Sequence, residues 1–359
     1  MSVITRIRTA ALTLPLKSSL RWGKGSRLDS LEHVLVRVET DSGQAGTAEA
    51  PARPTIYGET PVSIESIIRD HLAPRLTGLA INDAEGIHAA LSSVKNNHTA
   101  RGALDIAISE ARAAAEGKTL LEAYAGTQRT LRTSFILGID SVSNMVAEAR
   151  RVFETGVHVF KTKVGRDWQH DLTVIRALQT EFEGEPVTLY ADANEGLAPE
   201  KAARQLDTLA ELGIRYVEEP LPVHSLKARA RLKTDSPVPI IADDSCFSLR
   251  DLERELNFDT FDILNIKTAR TGYSESLAML KLARNEGKRV MLGSQAQSGL
   301  GTLHTAIFAS RADDLPHELS FPLKLERDSL DKPLPYRDGC LALNDLNDFS
   351  LKPDLRAWS

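Results

Sequence analysis

The segment FKTKVG, Phe160 to Gly165, poses the question on which the fold turns. Preceded by HV, it has the β-branched and aromatic character of a strand. Residues two apart in a strand share a face, so Lys161 and Lys163 point the same way. On an open edge two ammonium groups are simply solvated. In an enclosed site they repel, and the pKa of at least one falls. The residues downstream decide between these readings. Lys163, Asp192, Glu218, Asp243 and Lys267 each stand near the end of an apolar, strand-like run, in steps of 29, 26, 25 and 24 residues. Each step is about one strand and one helical crossover. Such a series predicts a parallel α/β barrel, in which the carboxyl ends of successive strands converge on one mouth.

The strand candidates from about residue 130 onward are TSFILG, HVFKTKV, VTLYADAN, IRYVEEP, PIIADDS, ILNIKTA, RVMLGSQ and LPHELSF. Helical stretches such as DLTVIRALQTEF and PEKAARQLDTLAELG lie between them. Eight strands favour a closed barrel over an open doubly wound sheet, and neither a GxGxxG nor a Walker sequence occurs. Before this region the order is strands, then helices. VITRIRTAALTLPL reads as a strand ended by Pro15, SSLRWGKGSRLDS as a polar loop, and LEHVLVRVETDSGQAGTAEA as two strands about a turn near Asp41 to Gly43. Helical patterns follow to about residue 125. Residues 1–125 are therefore expected to form an α+β domain with a junction helix, 126–325 the barrel, and 326–359 a segment returning to the first domain.

Net charge of -5 and a pI near 6.0 offer no electrostatic case for nucleic acid. No 18-residue apolar run predicts a membrane span. The opening MSVITRIRTAALTLPLKS lacks the apolar stretch of a secretory leader. Two distant cysteines, Cys246 and Cys340, make no disulfide framework. A reducing, cytoplasmic setting is the expectation.

At the expected mouth, three carboxylates would repel without a cation between them. Oxygen donors without a His/Cys cluster point to Mg²⁺, with Mn²⁺ a close second. Within YVEEPL and IADDS, the sequence leaves open which of Glu218 and Glu219, and which of Asp243 and Asp244, would be the ligand. A metal there can hold a substrate carboxylate, and a lysine of lowered pKa can take a proton from the adjacent carbon. Lys163 and Lys267, on the second and sixth of eight strands, would face each other across the barrel.

These residues resemble the enolase superfamily, in its mandelate racemase/muconate lactonizing enzyme subgroup. The matching pieces are KTKVG (161–165), DANEG (192–196), EEP (218–220), ADDS (242–245) and NIKTARTG (265–272), with ARGALDIAISEA ahead of them. The resemblance implies a modified TIM barrel, (β/α)7β, under an N-terminal α+β capping domain. It implies Mg²⁺ held by Asp192, Glu218 and Asp243, with Asn194 and Asp244 close by. It also implies Lys163 and Lys267 as acid/base residues, Lys161 as their support, and a homo-oligomer. The activity implied is abstraction of a proton α to a carboxylate through an enediolate. Racemisation or epimerisation of an amino-acid derivative is the first expectation. A lactonizing cycloisomerase, a dehydratase and a non-catalytic carboxylate-binding protein are the alternatives.

The chain departs from the family pattern in three places. Gln297 takes the place of a seventh-strand glutamate, with Gln295 an alternative alignment. The eighth strand offers Glu318 alone in place of an Asp-x-Asp pair that would hold a substrate ammonium. The loop from Ser18 to Arg27 carries Arg21, Trp22 and Lys24 and would serve as a specificity lid. Trp22, Tyr57, Gln297 and Glu318 are thus expected around the part of the small carboxylate substrate away from the metal, with Arg21 and Lys24 as possible clamps for a distal carboxylate.

Overall fold

The computed structural model describes residues 2–22, 26–355 and 358. Strands β1 (Ile4–Trp22), β2 (Ser26–Thr40) and β3 (Ala45–Pro51) form an antiparallel sheet in that order. The expected stop at Pro15 does not occur. β1 runs on, with a register shift between Pro15 and Leu20, and then pairs Leu20 with Leu28, Arg21 with Arg27 and Trp22 with Ser26. Proline has no N–H to give, but β1 is an edge strand and loses little by it. The expected polar loop is therefore mostly the end of a long hairpin. Lys24 lies outside the described residues.

The helical patterns fold as expected, into Pro61–Ile67 continued to Leu76 through a π turn, then Ala84–Ser92, His98–Ala115 and Leu120–Tyr124. The helix His98–Ala115 is the junction. Gly102 comes so close to the barrel that a Cβ there would stand 2.6 Å from the Ala269 carbonyl oxygen. One turn on, Asp105 accepts hydrogen bonds from the Tyr273 and Ser274 N–H groups at 2.6 and 2.9 Å.

After β4 (Thr130–Arg132), seven parallel strands follow in sequential order: β5 (Phe135–Ile136), β6 (Val159–Lys163), β7 (Thr188–Asp192), β8 (Val217–Glu218), β9 (Ile240–Ala242), β10 (Ile263–Ile266) and β11 (Arg289–Leu292). The eighth candidate, LPHELSF, closes the ring without forming a regular strand. His317 N–H donates to Arg132 and its carbonyl accepts from Ser134, while Glu318 N–H donates to Leu292. Pro316 on one side and the 3₁₀ turn Phe321–Lys324 on the other keep this extended piece short. Apolar Val159, Tyr190, Ile241, Ile263, Met291 and Leu315 plug the barrel floor. Polar residues are left for the mouth.

Residues β12 (Tyr336–Arg337) and β13 (Cys340–Ala342) form a hairpin that pairs with β4 on the barrel. Leu325 and Glu326 instead bond to β1 at Leu16 and Pro15, and Trp358 lies under Arg37 of β2. The tail thus touches both domains. Among the described residues no helix is long and apolar enough to cross a membrane.

Candidate active site

Strand alternation puts Val159, Lys161 and Lys163 inside the barrel, while Phe160 stacks outward on Phe182. The parallel register sets Lys163 beside Asp192, and Asp192 beside Glu218. Asp243 follows β9 by one residue. Lys267 follows β10 and caps the helix Thr268–Asn285. The lysines do not face one another bare. Lys161 Nζ lies 2.9 Å from Asp192 Oδ2, 2.7 Å from Glu218 Oε1 and 2.6 Å from Glu318 Oε1. Lys163 Nζ donates to Asp192 Oδ2 at 2.6 Å and to Asn194 Oδ1 at 3.0 Å. Lys267 Nζ donates to Asp243 Oδ2 at 2.5 Å.

The lysines and carboxylates here are all buried, so their charges act strongly on one another. Burial works against the Lys267 ammonium, but Asp243, with Glu318 and Asp244 behind it, outweighs burial and raises its pKa. Lys161 is raised well above the ordinary value in the same way, against burial, by Asp192, Glu218 and Glu318. Around each of these two lysines the carboxylates outnumber the neighbouring cations. Asp243 is brought down to about 2: burial opposes this, and Lys267 and Arg270 prevail. Glu218 is raised well above the carboxylate range by burial and by Asp192, Glu318 and Asp243, which exceed the help from Lys161. Asp244 is pushed up to about 7 by burial and by Asp243 beside it.

A further set of buried groups orients the first, and the sequence patterns did not single out most of them. Glu219, with φ of +43°, turns its side chain away from Glu218. Its Oε2 accepts from the N–H groups of Asp243 and Ser245, both at 2.9 Å, and its Oε1 binds Arg229. Arg229 also reaches Glu255 at 3.3 Å. Arg270 donates to Asp243 Oδ1 at 3.2 Å and to the carbonyls of Asp243 and Cys246. A polar residue that stays fully buried is the signal that would have found these, and it emerges only from the fold.

Above the charged cluster is a cavity of about 480 Å³. The lysines, Asp192, Asn194, Asp243, Asp244 and Glu318 line its barrel side, and Trp22, Leu20 and Ile56 come from the capping domain. Two expected substrate contacts lie elsewhere. Tyr57 does not line the cavity; its ring packs against Phe247 and His98, at 5.2 and 5.8 Å between centroids. Gln297 is turned away because the helix Gly299–Ala309 takes its amide, with Nε2 donating to the Gly301 carbonyl at 3.0 Å and to Thr305 Oγ1 at 3.1 Å. Ala296, at φ of +55°, turns the loop so that Gln295 is the glutamine on the wall. Arg21 is exposed and is not part of the lining.

The donors at the mouth are hard oxygens on adjacent strands, the type that Mg²⁺ takes. Among the described residues no three of them stand as a ready ligand set, since each is turned to a lysine or arginine. The excess of carboxylates that raises Glu218 is the feature that fits a further cation.

The family model for the mandelate racemase / muconate lactonizing enzyme N-terminal domain matches residues 6–123, and that for the enolase C-terminal domain-like fold matches 144–355. A muconate lactonizing enzyme from Mucobacterium Smegmatis, solved with muconolactone, is 34% identical with a TM-score of 0.91, covering 98% of each chain. The L-Ala-D/L-Glu epimerase of Bacillus subtilis is 29% identical over 350 residues, 95% of this chain and 94% of its own. A hydrophobic dipeptide epimerase of Citrifermentans bemidjiense is 29% identical over 332 residues, 88% of this chain and 89% of its own.

Proposed function

The chain belongs to the mandelate racemase/muconate lactonizing enzyme branch of the enolase superfamily, and from that membership we propose that it is an isomerase acting on the proton next to a substrate carboxylate, racemising or epimerising an amino-acid derivative. The observation that carries this reading is the placement of Lys163 and Lys267. They end the second and sixth of eight positions around the barrel, so they enter one cavity from opposite walls. Each is held by its own carboxylate, Asp192 or Asp243. One lysine takes the α-proton from one face of the substrate, and the other returns a proton to the opposite face. Lys161, with three carboxylate contacts, holds the cluster together rather than reaching the reacting carbon. Asp192, Glu218 and Asp243 would hold Mg²⁺ or Mn²⁺, with Asn194 and Asp244 at its edge. When bound, the ion supplies positive charge against the charge that builds on the substrate carboxylate as the proton leaves.

The test is α-proton exchange in deuterated water with Mg²⁺ and a panel of dipeptides and N-acyl amino acids. Racemisation should be lost in both Lys163→Ala and Lys267→Ala. Full turnover in either variant would remove the two-base scheme. The likeness to a muconate lactonizing enzyme supports a second reading, cycloisomerisation, which needs only one acting lysine. Loss of muconate ultraviolet absorbance, without exchange on any amino-acid derivative, would select it.

A further inference from the structure

We propose that Gln295 is a specificity-determining residue, whose amide recognises an uncharged carbonyl or amide group on the substrate beyond the α-carbon. This rests on the α-proton isomerase reading above. Gln295 lines the cavity, is 3% exposed, and its Nε2 has no hydrogen-bond partner. A buried donor left unpaired is costly, and buried polar groups are as a rule satisfied. Its neighbour Gln297 shows the contrast, with its amide taken up by Gly301 and Thr305.

The position of Gln295 is imposed from the other domain. Arg53 crosses from the capping domain and donates to the main-chain carbonyls of Gln295 at 2.6 Å and Ala296 at 2.9 Å, as well as to that of Ala52 at 2.6 Å. The guanidinium is thereby engaged with backbone, and it is the charged group that the described part of the capping domain contributes to the lining. The other capping residues there, Leu20, Trp22, Ser26, Thr55 and Ile56, are uncharged. On the barrel side, Glu318 is occupied by Lys161 and by the Ser294 N–H at 2.7 Å. Among the described residues where cap and barrel meet, Leu20, Trp22 and Ile56 give the wall apolar surface, and Gln295 adds an amide whose Nε2 is unpaired. A glutamine there offers both a donor and an acceptor to a neutral amide, and such a group would satisfy the unpaired Nε2.

The experiment compares matched substrates of one apolar residue: N-acetyl-leucine, N-acetyl-alanyl-leucine, alanyl-leucine, N-succinyl-leucine and leucine. Exchange at the leucine α-carbon is followed by mass spectrometry in deuterated water with Mg²⁺. The acetylated compounds should exceed the charged ones in kcat/KM by about tenfold or more. Gln295→Leu should lose about 10- to 100-fold on the acetylated compounds, chiefly through KM, with a folded far-ultraviolet spectrum. Gln295→Glu should shift preference toward alanyl-leucine. Equal or better turnover of the charged compounds by the unaltered protein, or an unchanged KM in Gln295→Leu, overturns the proposal while leaving the isomerase reading in place. No exchange on any compound overturns the isomerase reading, and this proposal with it.

Discussion

Replacing Glu219 by glutamine tests how the mouth of the barrel is held in shape. One oxygen of Glu219 receives the N–H groups of Asp243 and Ser245, and the other receives Arg229. Glutamine keeps one oxygen and puts an NH₂ in place of the other. Whichever way it turns, one set of donors faces a donor. With the NH₂ toward Arg229, a charge-assisted bond worth about 1.5–3 kcal/mol is lost. Leaving a buried cation wholly unpaired would cost about 3–5 kcal/mol. Arg229 retains the Leu221 carbonyl at 3.1 Å and Glu255 at 3.3 Å, so the lower figure applies. A loss of about 2–3 kcal/mol is expected. It should be read from urea unfolding with an unchanged m-value. Because the Asp243 N–H is tethered to Glu219, the direction of the Asp243 carboxylate should loosen too. Mn²⁺ affinity, followed by calorimetry where both proteins are folded, should fall by about tenfold or more. A variant within about 0.5 kcal/mol of the parent and with unaltered Mn²⁺ affinity would refute this account of Glu219.

Two more changes probe the frame. Burial raises the Glu110 carboxyl from 4.5 to about 7, against its bond from the Thr47 N–H. The folded state therefore holds this proton more tightly than the unfolded one, and the stability it contributes, about 3 kcal/mol, is present below pH 4.5 and lost as pH rises through 7. Glu110→Gln should flatten the stability profile between those values; parallel profiles would count against it. Gly272→Ala should cost about 1–3 kcal/mol, since φ of +63° disfavours a side chain and the new Cβ would stand 2.5 Å from Asp105 Oδ2. A melting temperature equal to the parent's would show that the junction yields freely.

Much of the architecture was legible in the chain because it depends on local periodicity. Alternation at Val159, Lys161 and Lys163 faces one side of a strand whatever surrounds it, and steps of 24 to 29 residues return the chain to the same end of the barrel. That much places Lys163, Asp192, Glu218, Asp243 and Lys267 at one mouth. What depended on partners distant in sequence could not be read. Pro15 looks like a strand end until β1 is seen to be an edge, where a missing N–H goes unmissed. LPHELSF has the composition of a strand, but its neighbours are β11 and the residues just before β5, and His317 and Glu318 alone among its residues make main-chain bonds to them. In MLGSQAQSGLGT the family resemblance favours Gln297, with Gln295 only the alternative, and the fold reverses that order. Arg53, more than 200 residues away, and the helix after Ser298 decide that Gln295 meets the cavity and Gln297 does not. Likewise EEP gives no hint of which glutamate faces inward. The positive φ of Glu219 and a buried arginine ten residues on separate the pair, because a hydrogen bond is satisfied by whatever the fold brings within reach, not by what stands nearby in the chain.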